Sequence, residues 1–436
     1  MKKLRLAGIG CGGRTRTYLS LAAERMSQYF EVVAAADPQM ERAEWLRRYA
    51  EDKEAFKVFD SDAALLAEEK LADIVVIGTQ DAYHVKPCID AMRKGYDVLL
   101  EKPISPDPAE VIALEREAVR LGRRVMVCHV LRYSPFYRKV KEIVDSGVLG
   151  EIRSLNATEG VGPFHFAHSY VRGHWRNKAE SSPIIIAKSC HDMDIISWLM
   201  GEECVSTSSY GSLSYFNEAH APDGAPKRCV DGCPQSETCH YNAMRYLSTQ
   251  RSWVQYVFNA EGAKVAEGGS ATDDEMREWL KTSKWGRCVY RCDNDVPDHQ
   301  TAQFEFKSGQ TATFTVTAFD GGRNLEIYGT KGCLKGGHTL KHQADIGADM
   351  IVMNHETGEK KVYSVDVEAG GYDGHGGGDH GLVSQLYNEM TKENPEDIES
   401  SITQSVQGHI MGYAAEESRI TGKTVDLSEF VKNLNN

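Results

Sequence analysis

Three glycines near the start of the chain have the spacing of a dinucleotide-binding loop. Gly8, Gly10 and Gly13 stand as G-x-G-x-x-G between a short apolar run and a segment that can form a helix. Such glycines let the backbone turn tightly and approach a pyrophosphate at the helix N-terminus. Asp37 comes 24 residues after Gly13, near the spacing of a carboxylate that binds the ribose diol and repels a 2′-phosphate. The pattern predicts NAD, held by Gly8, Gly10, Cys11, Gly12, Gly13, Arg14 and Asp37, and the alternative is a structural turn with a helix-capping aspartate.

Two further residues suit the oxidation of an alcohol, which needs a hydride acceptor, a base for the hydroxyl proton and a group that stabilises alkoxide character. Lys102 directly follows an apolar strand, at the edge where open α/β sheets place their ligands. It can donate to a substrate oxygen and relay a proton if burial lowers its pKa. His191 lies where an apolar run, expected to be a strand, leads into a helix, and imidazole titrates near working pH. We expect both to be catalytic; the alternative for Lys102 is a surface lysine before a rigid turn.

Two clusters of residues could recognise a polyol. Residues 165–176 read HFAHSYVRGHWR, in which aromatic faces can stack on sugar C–H surfaces and polar groups can bond hydroxyls. Residues 372–380 read YDGHGGGDH, whose glycines would let the backbone pass close to a ligand. The alternatives are a core or oligomer interface or a metal site for the first cluster, and a flexible surface loop for the second. The predicted substrate contacts here are Tyr170, Arg172, Trp175 and His375, together with His191.

The cysteines are unevenly spread. Cys229, Cys233 and Cys239 lie close together in a charged, proline-containing stretch, and Cys288 and Cys292 follow. Cys229, Cys233, Cys239 and a fourth thiol, Cys292 or Cys288, could hold zinc tetrahedrally or carry an iron–sulfur cluster. Free structural thiols and a disulfide are the alternatives.

The order of elements indicates an α/β protein. Over the first 130 residues, continuous apolar strands alternate with amphipathic helices, which is typical of a doubly wound parallel sheet covered on both faces. Residues 303–319 alternate around a Ser-Gly turn and predict a hairpin, and residues 324–328 and 362–367 predict further strands. Helices are expected at 381–392 and 401–421, with a polar helical excursion at 261–285. Together these elements fit a second, sheet-based unit.

Composition excludes several classes of protein. The chain has 436 residues, 41% hydrophobic and 26% charged, which is enough to bury a large core. Its formal net charge of −13 argues against nucleic-acid binding and against an anionic membrane surface. No run approaches the roughly 20 apolar residues of a membrane span, and the N-terminal apolar run is too short for a signal peptide. We therefore expect a cytoplasmic protein.

Two more segments bring a family into view. Thr79-Gln80-Asp81-Ala82-Tyr83-His84 follows the fourth predicted strand and Glu101-Lys102-Pro103 the fifth. With the glycine motif, they resemble the glucose–fructose oxidoreductase, inositol dehydrogenase and rhizopine-catabolism (Gfo/Idh/MocA) family. The resemblance extends through residues 127–152 (VCHVLRYSPFYRKVKEIVDSGVLGEI) and 412–427 (GYAAEESRITGKTVDL). It implies a Rossmann domain, a C-terminal α/β domain with a large, open, mostly antiparallel sheet, and NAD(P)-dependent chemistry on sugars or cyclitols. It also adds Thr79, Asp81, His84, Glu101 and Lys102 to the predicted cofactor site and His129 to the predicted substrate site.

The chain departs from the family at one position. The family usually presents an Asp four residues before the catalytic His, and alignment on His191 puts Ala187 there, with Lys188 one step later. We expect Lys188 to hold a substrate hydroxyl in place of the missing carboxylate, as a third catalytic candidate. Asp192 and Asp194 cannot both face the site, and Asp192 is expected to stabilise the helix N-terminus.

These observations define the expected organisation and activity. Residues 1–131 would form the NAD-binding domain and residues 132–436 the substrate-binding and oligomerisation domain, with a cysteine-containing insert at about 222–292. The expected function is hydride transfer between nicotinamide and a ring hydroxyl of a sugar, glycoside or cyclitol. The alternatives are redox-neutral glycoside cleavage through a 3-keto intermediate with tightly bound NAD, and a non-catalytic NAD-binding sensor. The expected partners are a small carbohydrate or polyol and further copies of the chain, as a homodimer or homotetramer.

Overall fold

The first sheet of the chain has six parallel strands. The computed structural model describes residues 2–253, 272–343, 347–365 and 375–434. Within them the strands follow the spatial order β3-β2-β1-β4-β5-β6, the doubly wound arrangement expected from the alternating pattern. Their bounds are β1 Leu4–Ile9, β2 Phe30–Ala36, β3 Lys57–Phe59, β4 Ile74–Ile77, β5 Asp97–Leu100 and β6 Val125–Val127.

Helices cover both faces of this sheet, and local residue chemistry sets their ends. The helix Pro108–Leu121 shows this best: the Asp107 side chain accepts from the N–H of Ala109, and Pro108 is in the first turn. Gly122 ends the helix in the left-handed conformation. The helices of this part are α1 Gly13–Arg25, α2 Met40–Glu44, α3 Asp62–Ala67, α4 Val85–Arg93 and α5 Pro108–Leu121, with short 3₁₀ turns at Trp45–Tyr49, Asp81–Tyr83 and Val130–Tyr133.

The second sheet has nine strands in the order β14-β13-β12-β11-β7-β10-β9-β8-β15. Among the strands of the described residues, β7 and β10 form the one parallel pair of this sheet, so the sheet is mostly antiparallel as expected. The hairpin expected at 303–319 is confirmed as antiparallel β9 and β10, and alternate residues of β9 are buried. The bounds are β7 Ile152–Val161, β8 Cys204–Ser212, β9 His299–Phe306, β10 Thr311–Thr317, β11 Gly321–Gly329, β12 Gly332–Gly337, β13 Met350–Asn354, β14 Lys360–Tyr363 and β15 Val425–Asp426.

One sequence prediction about this part is wrong. The apolar run after Pro183 was expected to be a strand, but Ile184–Ala187 forms a short helix. All four side chains are buried, so burial on every side produced an apolar run that periodicity cannot distinguish from a buried strand. The helices here are α6 Pro135–Asp145, α7 Pro163–Phe166, α8 Ile184–Ala187, α9 Cys190–Met200, α10 Asp273–Thr282, α11 His338–Lys341, α12 Gly378–Met390, α13 Ile402–Thr421 and α14 Leu427–Leu434. This part also contains a π-helical turn at Ala167–Arg172 and 3₁₀ turns at Glu218–His220, Ala243–Leu247, Lys284–Gly286, Val289–Arg291 and Pro395–Asp397.

The end of the chain returns to the first sheet. The long helix α13 packs against α5 of the first part and against α9 and β8 of the second. Just before it, the Ser400 carbonyl accepts from the N–H of Val127 at 2.8 Å, so the edge strand β6 is covered. Within the described ranges, no helix has both the length and the apolar character needed to cross a bilayer.

Candidate active site

The glycine loop between β1 and α1 forms an open cradle. Gly10 has φ +74°, and a Cβ there would lie 2.7–2.8 Å from the Thr79 backbone, so the position requires glycine. A Cβ on Gly12 or Gly13 would have no neighbour within 4 Å. Since α1 also begins without a side-chain cap and without an acidic residue in its first turn, its N–H groups are available to an anion. The loop therefore fits the pyrophosphate of a dinucleotide.

Asp37 lies beside this cradle at the end of β2. Its Oδ2 accepts from the N–H of Cys11 at 2.8 Å and its Oδ1 from the N–H of Gln39 at 2.8 Å. Each carboxylate oxygen keeps further acceptor capacity, which suits a ribose diol. The next loop is fixed by His84, whose ring nitrogens lie 2.8 Å from the Pro103 carbonyl and 3.1 Å from the Thr79 carbonyl. The predicted cofactor residues of the loops after β1, β2 and β4 are thus brought to one sheet edge.

Glu101 and Arg14 connect the glycine loop with the loop after β5. Arg14 Nε donates to Glu101 Oε1 at 3.0 Å, and the Tyr18 hydroxyl donates to the same oxygen at 2.6 Å. Burial alone would raise the pKa of Glu101, but Arg14, Lys102 and Tyr18 outweigh it and hold that pKa below its ordinary value. An ionised Glu101 therefore sits directly before Lys102, and the Lys102–Pro103 peptide bond is cis.

His191, in the first turn of α9, is the buried imidazole next to Lys102. It is 3% exposed, and neither ring nitrogen has a hydrogen-bond partner among the described residues. Burial, followed by Lys102, His375 and His129, lowers the pKa of His191 well below its usual value. A neutral imidazole with unused nitrogens can accept a proton from a bound hydroxyl.

Lys188 belongs to a group of four charges, in which Glu159 and Asp192 are buried and the Lys188 and Arg323 side chains are 19% and 20% exposed. Its Nζ lies 3.3 Å from Glu159 Oε1, while Arg323 Nε lies 2.6 Å from Glu159 Oε2 and 2.7 Å from Asp192 Oδ1. Burial lowers the pKa of Lys188, and Glu159 partly opposes this. Burial likewise raises the pKa of Asp192 against the effect of Arg323. Asp192 is therefore an ion-pair partner of Arg323 as well as a first-turn acidic residue of α9.

Sequence reasoning missed Glu159 and Arg323. Both lie on adjacent strands, β7 and β11, where they are direct neighbours in the register. Their signal was weak, since a single charged residue in a strand ordinarily points to solvent. Burial of Glu159, at 3% exposed, is visible only in the structure.

His129 lies behind His191 in the interior. The ring centroids of the two are 6.0 Å apart, and His129 is 5.6 Å from His409 on α13. Its Nε2 lies 3.6 Å from Asp194, whose carboxylate is bound by both Nε and one terminal nitrogen of Arg132 at 2.7 and 2.6 Å. Asp194 is therefore engaged by Arg132, away from a direct catalytic position.

His375 is a second histidine beside His191. The two ring centroids are 5.4 Å apart, and His375 Nδ1 lies 3.4 Å from Asp379 Oδ1. Asp379 in turn receives two hydrogen bonds from Arg14, at 2.8 and 2.5 Å. The predicted Tyr372 and Asp373 of the same run lie outside the described residues.

The aromatic cluster divides into two parts. The Trp175 indole N–H donates to Asp81 Oδ2 at 3.3 Å, and Tyr170, whose ring centroid is 6.1 Å from that of Trp175, lies near Glu159 and Cys190. Arg172 points elsewhere: its guanidinium donates to the carbonyls of residues 287 and 241 at 2.7 and 2.6 Å. The structure therefore brings Tyr170 and Trp175 to the site and leaves Arg172 in the cysteine-containing segment.

The cysteines give no support to the zinc prediction. Cys229, Cys233, Cys239 and Cys288 line one small cavity beside Arg172, and Cys292 Sγ faces the Cys288 carbonyl at 3.3 Å. All are free thiols. Yet nowhere in residues 2–253, 272–343, 347–365 and 375–434 are three or more His, Cys, Asp or Glu side chains arranged to hold a metal ion.

Comparison with known proteins identifies both halves of the chain. Residues 4–129 match the family model described as oxidoreductase family, NAD-binding Rossmann fold, and residues 141–427 match its C-terminal alpha/beta domain. The putative oxidoreductase YteT of Bacillus subtilis is 24% identical over 86% of this chain and 87% of its own length. Inositol 2-dehydrogenase 4 of Saccharopolyspora erythraea is 29% identical over 66% of this chain and 79% of its own.

Solved structures show the same fold over the whole length. The scyllo-inositol dehydrogenase of Lactobacillus casei, solved with NAD(H) and scyllo-inositol, superposes with a TM-score of 0.64 at 16% identity. The superposition covers 98% of this chain and 100% of the Lactobacillus casei chain. An oxidoreductase from Agrobacterium radiobacter gives a TM-score of 0.66 at 14% identity, with 98% and 100% covered.

Proposed function

Since the chain belongs to the Gfo/Idh/MocA family of NAD-binding oxidoreductases, we propose that it oxidises a secondary ring hydroxyl of a neutral cyclitol, sugar or glycoside. The proposal depends chiefly on Lys102, at the carboxyl end of β5, and the adjacent buried His191 with two unused ring nitrogens. Bound NAD would supply the hydride acceptor. The residues of the glycine loop, Asp37 and the loop after β4 would hold it.

The protein groups divide the remaining work. Lys102 donates a hydrogen bond to the reacting oxygen and stabilises its alkoxide character. His191, neutral because burial and Lys102 lower its pKa, takes the hydroxyl proton on a ring nitrogen. Lys188 binds a neighbouring hydroxyl, and Glu159 holds the Lys188 ammonium in place at 3.3 Å.

Charge around the site supports a neutral substrate. Glu101, Asp379, Glu159, Asp192 and Asp194 each have a cationic partner, and Arg14 is shared by the first two. Lys102 is then the cation that balances the set. A substrate bearing a carboxylate or phosphate would add an unpaired charge to a buried site, which is costly.

A second candidate reaction uses the same groups. In redox-neutral glycoside cleavage the substrate is oxidised, loses its aglycone by elimination and is reduced again, so the cofactor shows no net change. Elimination needs a second acid–base group, and His375, with its ring centroid 5.4 Å from that of His191, favours this alternative.

One experiment distinguishes the two reactions. The protein is mixed with NAD and a panel of cyclitols, free sugars and aryl glycosides, and nicotinamide absorbance and aglycone release are followed together. We expect NADH to accumulate without aglycone; aglycone release without NADH would establish the redox-neutral reaction instead.

Variants test the role assigned to Lys102. K102M should lower kcat by about 10²- to 10⁴-fold, the range for loss of a positioned acid–base group, while NAD affinity stays within about threefold. The matched control is K94M, at an exposed lysine after α4. Turnover of K102M equal to that of K94M would refute the assignment.

A further inference from the structure

His375 is held in an unusual backbone conformation beside the proposed base. Its φ is +68°, the only positive value among the described non-glycine residues, and Gly376 and Gly377 continue the turn with φ of +61° and +88°. A side chain in this region is disfavoured and persists where the surroundings impose it, often at functional sites. Here the turn leads into α12 and brings the His375 ring to a centroid distance of 5.4 Å from the His191 ring.

Among the described imidazoles next to His191 or His129, His375 is the one that reaches water. His191 is 3% exposed, and His129 and His409 behind it are fully buried. The His375 side chain, by contrast, is 29% exposed. Lys102 and Arg323 also face His191, but substrate and cofactor would cover Lys102, and Arg323 is bound by Asp192 and Glu159.

Asp379 completes the arrangement around His375. Its Oδ1 lies 3.4 Å from His375 Nδ1, and Arg14 binds both carboxylate oxygens. Burial would raise the pKa of Asp379, but Arg14 and His375 outweigh it and hold that pKa below its ordinary value. An ionised Asp379 therefore lies beside Nδ1 of His375, where its charge can orient the ring.

We propose that His375 accepts the substrate proton from His191 and releases it to solvent, with Asp379 as its positioning residue. The proposal rests on the proposed function. Oxidation of a secondary alcohol delivers a hydride to NAD and one proton to His191. The ring nitrogens of His191 make no hydrogen bond in the structure, so the rings must turn toward each other for the proton to pass from a nitrogen of His191 to a nitrogen of His375. Release of the proton to water then restores both neutral imidazoles.

The geometry explains why such a relay is needed. A protonated His191 would be a buried cation beside Lys102 and Arg323, so it must lose its proton before the next turnover. Without a partner that reaches water, proton release would limit the steady-state rate and leave the first chemical step unaffected.

H375N is the informative variant because Asn tolerates the left-handed conformation better than most residues. At saturating substrate, where a weakened substrate contact has no effect on the rate, we expect the first turnover of NADH formation to stay within about threefold of wild type. Steady-state kcat should fall by about 100-fold, and added imidazole should restore it in proportion to its concentration. The matched control is H355N, at an exposed histidine in the turn between β13 and β14, which should behave as wild type with or without imidazole.

A second measurement needs no turnover. In ¹⁵N-histidine NMR of the cofactor-free protein, H375N should raise the pKa of His191, because the nearby His375 lowers it in the wild type. It should also slow proton exchange between the His191 ring and water at least tenfold.

The outcomes separate the relay from the proposed function. Three results would each overturn the relay: a wild-type kcat in H375N, a loss of kcat that imidazole does not relieve, or unchanged proton exchange at His191. In each case, NADH formation by the wild-type protein would still support the dehydrogenase. If the wild-type protein forms no NADH with any polyol, the proposed function fails, and the relay that rests on it fails too.

Discussion

Arg14 neutralises two buried carboxylates from distant parts of the chain, so its removal should be unusually costly. Glu101 and Asp379 both lie within 3.0 Å of its guanidinium. Removing one partner of a buried ion pair costs about 3–5 kcal/mol, because the remaining charge stays buried without compensation. The Arg14 side chain is 34% exposed, and water screens part of the interaction, so we expect R14A to lose about 3 kcal/mol of unfolding free energy at pH 7.

The companion variant D379N should lose less. It removes one carboxylate and leaves Arg14 paired with Glu101, so the loss is that of a hydrogen bond to a charged group, about 1.5–3 kcal/mol at most. R25A is the matched control, at an exposed arginine on the same helix, and should change stability by no more than about 0.5 kcal/mol.

The pH dependence tests the cause of the loss. In the wild type both carboxyl pKa values lie below their ordinary values, so the pairs stabilise the fold above the unfolded-state pKa of about 4 and lose this contribution as pH falls through the folded-state pKa. Without Arg14, burial should raise the pKa of Asp379 and Glu101, and the ionised carboxylates then destabilise the fold. The difference in unfolding free energy between wild type and R14A is therefore largest near pH 7 and shrinks as pH falls toward about 4.

Urea denaturation followed by circular dichroism between pH 4.5 and 7.5 measures this difference. If R14A loses no more than R25A, or loses the same amount at every pH, the two carboxylates do not depend on Arg14 and the reasoning is wrong.

Three further predictions concern the cofactor and substrate sites. G10A should fold poorly, because the φ of +74° at Gly10 and the contacts at 2.7–2.8 Å leave no room for a methyl group. G12A should fold normally and weaken NAD binding measured by calorimetry. Equal stability of the two variants would contradict this prediction. Asp37→Ser should weaken NAD binding about 10- to 100-fold, because it removes a charged hydrogen-bond acceptor, and it should reduce discrimination against NADP. An unchanged ratio of NAD to NADP affinity would contradict the role of the carboxylate. Lys188→Met should lower kcat/KM by about 10- to 100-fold, because it removes a hydrogen-bond donor to the substrate. It should not lower the thermal midpoint of unfolding, because burial already lowers the pKa of the Lys188 ammonium. Wild-type kinetics would show that Lys188 does not bind substrate.

Local patterns in the sequence predict the elements and the strand-end residues. The apolar runs and the glycine spacing give the parallel sheet, and Lys102 is found at the expected strand end because a short loop follows β5 directly. His191 is found near a helix start, as expected, although the preceding residues 184–187 are helical rather than extended.

Contacts between distant segments could not be predicted in this way. Arg14 and Asp379 are 365 positions apart, and nothing in either segment indicates the other. Glu159 and Arg323 meet because two strands pair in one register, which a strand pattern alone does not specify. Arg172 resembled a substrate contact by composition, but its partners are backbone carbonyls of another segment.

The hydrogen bond between Val127 and the Ser400 carbonyl has a consequence for biosynthesis. Strand β6 completes the first sheet early in translation, but the segment that covers it follows about 270 residues later. At about 5–20 residues per second, the ribosome needs roughly 14–55 s to deliver that segment. During this interval the emerging sheet has an uncovered edge strand able to pair with other chains. Slow elongation between these two points should therefore increase aggregation of the nascent protein, and a chaperone that shields strand edges should act on it during this interval.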